Sequence, residues 1–161
     1  MRTVTFSKPS LAKAMNDSFV CAWFNRQAEK KFRDGAFTHP PKSVVPRPGE
    51  AASNVTSIFA ASDGTVLHAV PGYLGPTAFA IEVDFALALH ERMYPDGDHS
   101  EQAEMIYKAA HKEAVGEGAG GYSGPSHYLL AGMPLVDVKR FGTDFFADIT
   151  RPFCGKRMKR D

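Results

Sequence analysis

Residues 54–73, NVTSIFAASDGTVLHAVPGY, constrain the fold of this chain more than any other stretch. Two short apolar runs, 55–61 and 65–70, meet at Asp63-Gly64. Asp tolerates a left-handed backbone and Gly adopts one without steric cost, so the pair suits a tight reversal. The flanking Val, Thr, Ile and Phe favour a pleated, partly buried surface. An antiparallel hairpin is expected here. Gly75-Pro76 then opens a helical pattern over 76–93, where proline fits the first turn because its missing N–H has no partner to lose. Phe79, Val83, Ala86, Leu87 and His90 fall at steps of three or four and form an apolar stripe. Ile81, Phe85 and Leu89 form a second, so cover on more than one side is expected.

Upstream, 7–15 suggests a short helix capped by Ser7 or Ser10, with Leu11, Ala14 and Met15 inward. Asn16-Asp17-Ser18 breaks that pattern. Residues 19–24, FVCAWF, are apolar without alternation, which suits a central strand covered on both faces. Residues 26–33 read as a surface helix ending at Asp34-Gly35, and the proline-rich passage 38–50 as an extended loop. Downstream, 98–115 suggests a helix capped by Asp98 or Ser100, with Met105, Ile106, Ala109 and Ala110 inward. The glycine-rich stretch 116–124 reads as a connector. A strand and a short helix are both open for 128–138, and the basic tail 151–161 is expected to fray.

With 161 residues the chain is long enough for one domain with a real core. Hydrophobic residues at 43% and charged residues at 23% are a globular balance rather than a disordered one. A net charge of +1 supplies no field to gather nucleic acid or an acidic membrane surface. No apolar run approaches the ~20 residues of a spanning helix, and no leader pattern follows Met1. The expectation is a cytoplasmic protein, or an extracytoplasmic one if a leader has been removed. Two cysteines, Cys21 and Cys154, exclude a disulfide-rich scaffold and a four-cysteine zinc site.

Element order then becomes informative. FVCAWFN at 19–25, SIFAASDGTVLHAVPGY at 57–73 and the helix from Pro76 together resemble the thioredoxin-like fold over roughly residues 6–94. The resemblance implies an α/β architecture, a mixed sheet flanked by helices. It divides the chain into a thioredoxin-like core at 1–95 and a helical, glycine-linked extension at 96–161 packing on it. It also implies a binding surface where the family carries its disulfide, near Trp23, Asn25, Arg26, Gln27, Val55 and Tyr73. The chain departs from the family at the chemistry. Arg26-Gln27-Ala28-Glu29 stands where active members place CxxC, whose thiol is activated at a helix N-terminus. The family's cis-proline position is most nearly Val55, where a trans peptide is expected because a cis bond before a non-proline residue costs ~3–4 kcal/mol. The function implied is a non-catalytic binding or scaffold protein, with a protein or peptide partner and without dithiol exchange.

The alternative is a single-thiol oxidoreductase or peroxidase using Cys21 or Cys154. Cys21 lies in an apolar run, where burial would leave it inert, and Cys154 lies among Arg151, Lys156 and Arg157. The six histidines show no HExxH or HxxxH spacing. His90, His99 and His111 on adjoining helices could converge on a metal, but nothing in the spacing demands it, so no metal and no cofactor is assigned. The glycine-rich stretch matches no phosphate-binding spelling. Asn54-Val55-Thr56 spells a glycosylation acceptor beside an expected strand. Trp23 and Phe24 are expected in the core.

Overall fold

A computed structural model describes residues 5–22, 56–71, 74–116 and 124–137. Within them the chain is a mixed α/β arrangement of four helices and one two-stranded antiparallel sheet. In order these are α1 (Pro9–Ser18), β1 (Thr56–Ala60), β2 (Val66–Pro71), α2 (Pro76–Met93), α3 (Ala103–Gly116) and α4 (Gly124–Ala131). No helix of the described residues is long and apolar enough to cross a membrane.

The hairpin forms where Asp-Gly calls for it. Gly64 has φ 101°, a conformation that would strain any side chain. Its N–H donates to the Ala61 carbonyl at 3.0 Å, and Asp63 Oδ1 accepts from the Thr65 N–H at 2.8 Å. The register pairs Thr56 with Pro71 through Phe59 with His68, then slips so that Ala60 faces Val66. Leu67 is therefore skipped by the ladder, a bulge of the kind that re-aims neighbouring groups. Val66, Leu67, His68, Ala69 and Val70 are all buried, so β2 is covered on both faces.

Proline at the start of α2 sits in its first turn, as its fixed φ favours. The buried face of this helix is Phe79, Glu82, Val83, Ala86, Leu89 and Met93, spaced by three, one, three, three and four residues. Of the expected second stripe Leu89 is buried and Phe85 packs against the core, whereas Ile81 is 57% exposed; Leu87 and His90 are half-buried. The buried Glu82 was not anticipated. The helix lies against β2 and α3, with α1 on its flank.

Several expectations are corrected. Asn16, Asp17 and Ser18 do not end the first helix: α1 runs to Ser18, helped by an i,i+4 ion pair of Lys13 with Asp17. Neither expected serine caps it, since the N-cap is Lys8 and Pro9 opens the helix. The strand expected at 19–24 is not formed over residues 19–22, which join no ladder. Phe19 is the C-cap of α1, its N–H held by Met15 O at 2.9 Å. The chain therefore leaves the helix at the hairpin's edge, with Phe19 against Phe59 at 5.6 Å while Val20 stands fully in solvent. Cys21 is consequently exposed rather than buried.

In α3 the inward residues are Ala103, Tyr107, Ala110, His111 and Ala114. Met105 and Ala109, expected inside, are exposed. The helix starts later than expected, after a turn in which Ser100 O accepts from the Ala103 N–H at 3.0 Å. The open choice for 128–138 resolves into both elements. Helix α4 ends at Ala131, and Asp137 then makes a single antiparallel bridge to Thr65, with Val136 O accepting from the Val66 N–H at 2.9 Å.

One apolar cluster joins Leu11, Phe59, Val66, Leu67, Val70, Phe79, Val83 and Leu89 to Tyr107, Ala110, Leu130 and Val136. Residues on both sides of position 95 thus share a single core. Each large side chain it encloses contributes ~1.5–3 kcal/mol.

Candidate metal centre

Four polar side chains converge inside this core, one from each surrounding element. They are His68 of β2, Glu82 of α2, His111 of α3 and His127 of α4, all buried. Two different periodicities aim the first two. His68 faces inward by the alternation of β2, and Glu82 lies three residues after Phe79 on the buried face of α2. His111 follows Tyr107 by one helical turn, and the two rings pack edge to face at 4.5 Å.

The geometry is close. His68 Nε2 lies 2.8 Å from Glu82 Oε2, and His127 Nε2 lies 3.5 Å from the same oxygen. His111 Nδ1 and His127 Nδ1 are 2.8 Å apart, and His111 Nε2 is 3.1 Å from the Leu67 carbonyl. His127 also stacks on His68 at 4.4 Å and meets Phe85 edge-on at 4.5 Å. One nitrogen from each of the three histidines falls within 4.8 Å of the others.

Proton accounting follows from the partners. A carbonyl only accepts, so His111 carries its proton on Nε2 and donates to Leu67 O, the residue the bulge skips. Burial holds the His111 imidazole down to about 2, with His68 and His127 adding to the shift against the Leu67 and Glu82 contacts. It is therefore neutral, its Nδ1 is a lone pair, and the N–H in the contact between the two Nδ1 atoms belongs to His127. Burial likewise lowers the pKa of His68, more than the Glu82 hydrogen bond raises it. The His68–Glu82 contact is thus a neutral imidazole N–H donating to a carboxylate rather than an ion pair. His127 Nε2 faces the same Glu82 oxygen across 3.5 Å.

A divalent cation would suit this set of donors. A tetrahedral zinc ion with bonds of 2.0–2.2 Å separates its ligand atoms by roughly 3.4 Å, close to the His127–Glu82 spacing. Histidine ligands characteristically donate their other ring N–H to a carbonyl or carboxylate, the arrangement His111 makes with Leu67. His111 would then bind through Nδ1, Glu82 through Oε2, His68 through Nε2 with its proton moved to the unpartnered Nδ1, and His127 through either of its nitrogens. Among the described residues, three buried side-chain atoms have no hydrogen-bond partner: His68 Nδ1, Tyr107 Oη and Ser126 Oγ. All three belong to the centre or to residues adjoining it.

Of the histidines expected to converge, only His111 is here. His90 and His99 gather instead on Tyr94, stacked at 4.8 Å and edge-on at 5.2 Å. Cys21 has a contact with the Met15 carbonyl at 4.0 Å. Trp23, Asn25, Arg26, Gln27, Val55, Tyr73 and Cys154 lie outside the described residues. Of the residues missed in sequence, His68, Glu82 and His127, the first two left a signal. His68 interrupts an apolar strand, and Glu82 falls on the apolar stripe of α2. No family model, curated protein or solved structure matches the chain.

Proposed function

We propose that this protein binds one zinc-class divalent ion through His68, Glu82, His111 and His127, and that its role is binding rather than dithiol exchange. The observation that carries the reading is the convergence of four donors from four elements on one buried point. Three imidazoles and a carboxylate suit zinc and its neighbours, whereas magnesium and calcium prefer oxygen donors. Four protein ligands complete a tetrahedral shell, the mark of a structural rather than a catalytic site.

The scaffold is read as thioredoxin-like without the redox pair. The order β1, Asp-Gly turn, β2, Gly75-Pro76, α2 supports that reading. The first-strand part of it has lost its support over residues 19–22. A peptide-binding surface at Trp23, Asn25, Arg26, Gln27, Val55 and Tyr73 belongs to this reading. The thiol alternative rests on the exposure of Cys21; its test is the pH dependence of alkylation of Cys21 and Cys154 in the native protein.

Metal content of untagged protein tests the main reading. One equivalent of zinc per chain is expected. Adding zinc at a hundred times its Kd to stripped protein should stabilise it by about 2.7 kcal/mol, and so raise Tm by about 5–10 °C. Glu82→Gln should weaken zinc binding. Metal-free protein whose Tm is indifferent to zinc and cobalt would sink the proposal.

A further inference from the structure

We infer that metal loading controls the docking of α4: with the centre filled, α4 closes on β2, α2 and α3, and with it stripped, α4 detaches before the rest of the core opens. This deepens the metal-binding reading and rests on it.

Helix α4 has eight residues, fewer than an isolated helix needs to persist in water. Its stability must come from docking. Yet its inward face is half polar: Leu130 and Ala131 are buried beside Ser126 and His127. Ser126 Oγ has no hydrogen-bond partner, so it opposes burial. Tyr128, the largest side chain of the helix, is 73% exposed and contributes little to docking.

His127 is the connection that reaches furthest. Its ring touches His68 on β2, Phe85 on α2 and His111 on α3, and its Nε2 faces Glu82. Without an ion the ring is held only by these packing and hydrogen-bonding contacts. With one, the same atoms become ligands of a shared centre, and α4 is bonded to the three elements around it. The chain beyond α4 is separately tied to the hairpin, through Val136 O and the Asp137–Thr65 bridge. Those ties do not involve the metal, so α4 can lift without releasing residues 136–137. Metal availability would then be read out as exposure of the Ser126–Leu130 face.

Hydrogen exchange on the full chain at neutral pH, zinc-loaded and chelator-stripped, tests this. Amides of 124–131 should exchange at least tenfold faster in the stripped protein, while those of 79–93 keep their rates. His127→Ala and His68→Gln should both leave 124–131 in fast exchange even with zinc present. His68 lies off α4, so its variant separates loss of the metal from loss of a contact made by α4 itself. Stoichiometric zinc binding with unchanged protection of 124–131 would overturn the inference while leaving metal binding intact. So would an effect confined to His127→Ala, or loss of protection in 79–93 together with 124–131. A chain that binds no zinc at all removes both readings.

Discussion

The two ends of this core share a strand pair and a helix but are held by different physics. At one end Phe59, Phe79, Phe6 and Phe19 meet ring to ring, with Phe79 against Phe6 at 5.2 Å and against Phe59 at 5.9 Å. At the other, His68, Glu82, His111 and His127 meet atom to atom. Phe59 and His68 are direct partners across the ladder and stack at 6.1 Å, so the boundary is a single residue pair. The apolar end gains from area and shape, and tolerates neighbours of similar volume. The polar end gains only if every lone pair and proton is matched, since a buried polar group left alone costs more than the bond it would have made. One end is therefore generic, and the other depends on the matching of individual donors and acceptors.

The sharpest way to break this contrast is a large cavity at the apolar end. Phe79→Ala should cost about 4 kcal/mol in urea unfolding, by the same amount with and without zinc. A zinc-dependent penalty would mean that the two ends are not separable. Acid tests the other end next. In stripped protein His111 has its folded pKa near 2 against 6.5 unfolded. Between those values the unfolded chain holds a proton that the folded one lacks. Stability from this group is thus complete above pH 6.5 and is lost as pH falls, by about 1.4 kcal/mol per unit and about 3 kcal/mol by pH 4. His68, lowered in the same direction, adds to the loss. Denaturant midpoints across pH 4–8 should show that slope, and the Phe79→Ala difference should stay constant across it. A flat profile would mean that the imidazoles are not held neutral. The smallest effect belongs to a polar contact outside both ends. Tyr94 Oη donates to Asp63 Oδ2 at 2.7 Å beneath the hairpin turn, and burial pushes the phenol up to about 12. Tyr94→Phe should cost about 1 kcal/mol and leave zinc binding unchanged, read as a Tm shift of about 3 °C. A change in zinc affinity would extend the polar end to the turn.

Legibility in sequence divides along the same line. The hairpin, its turn and the start and end of α2 were readable because Asp63-Gly64 and Gly75-Pro76 act through their own backbone. The inward face of α3 was read in part: Ala110 is buried and Ile106 packs on the core, but Met105 and Ala109 are apolar yet exposed, while Tyr107 and His111 face the core. The strand at 19–24 was misread over 19–22 because an apolar run carries no information about what will cover it. Val20 found nothing to cover it. In the centre, His111 alone was singled out, and with the wrong companions. His90 and His99 are held together elsewhere, on either side of Tyr94.

By itself the sequence determined the Asp-Gly turn and the proline-started helix, since each depends on the steric character of a few adjacent residues. Only the tertiary structure decided that residues 68, 82, 111 and 127 share one buried point. Hydrogen bonding and coordination require atoms to approach within a few ångströms. A separation of 59 positions between the first and last of these residues becomes that approach only once β2, α2, α3 and α4 have packed.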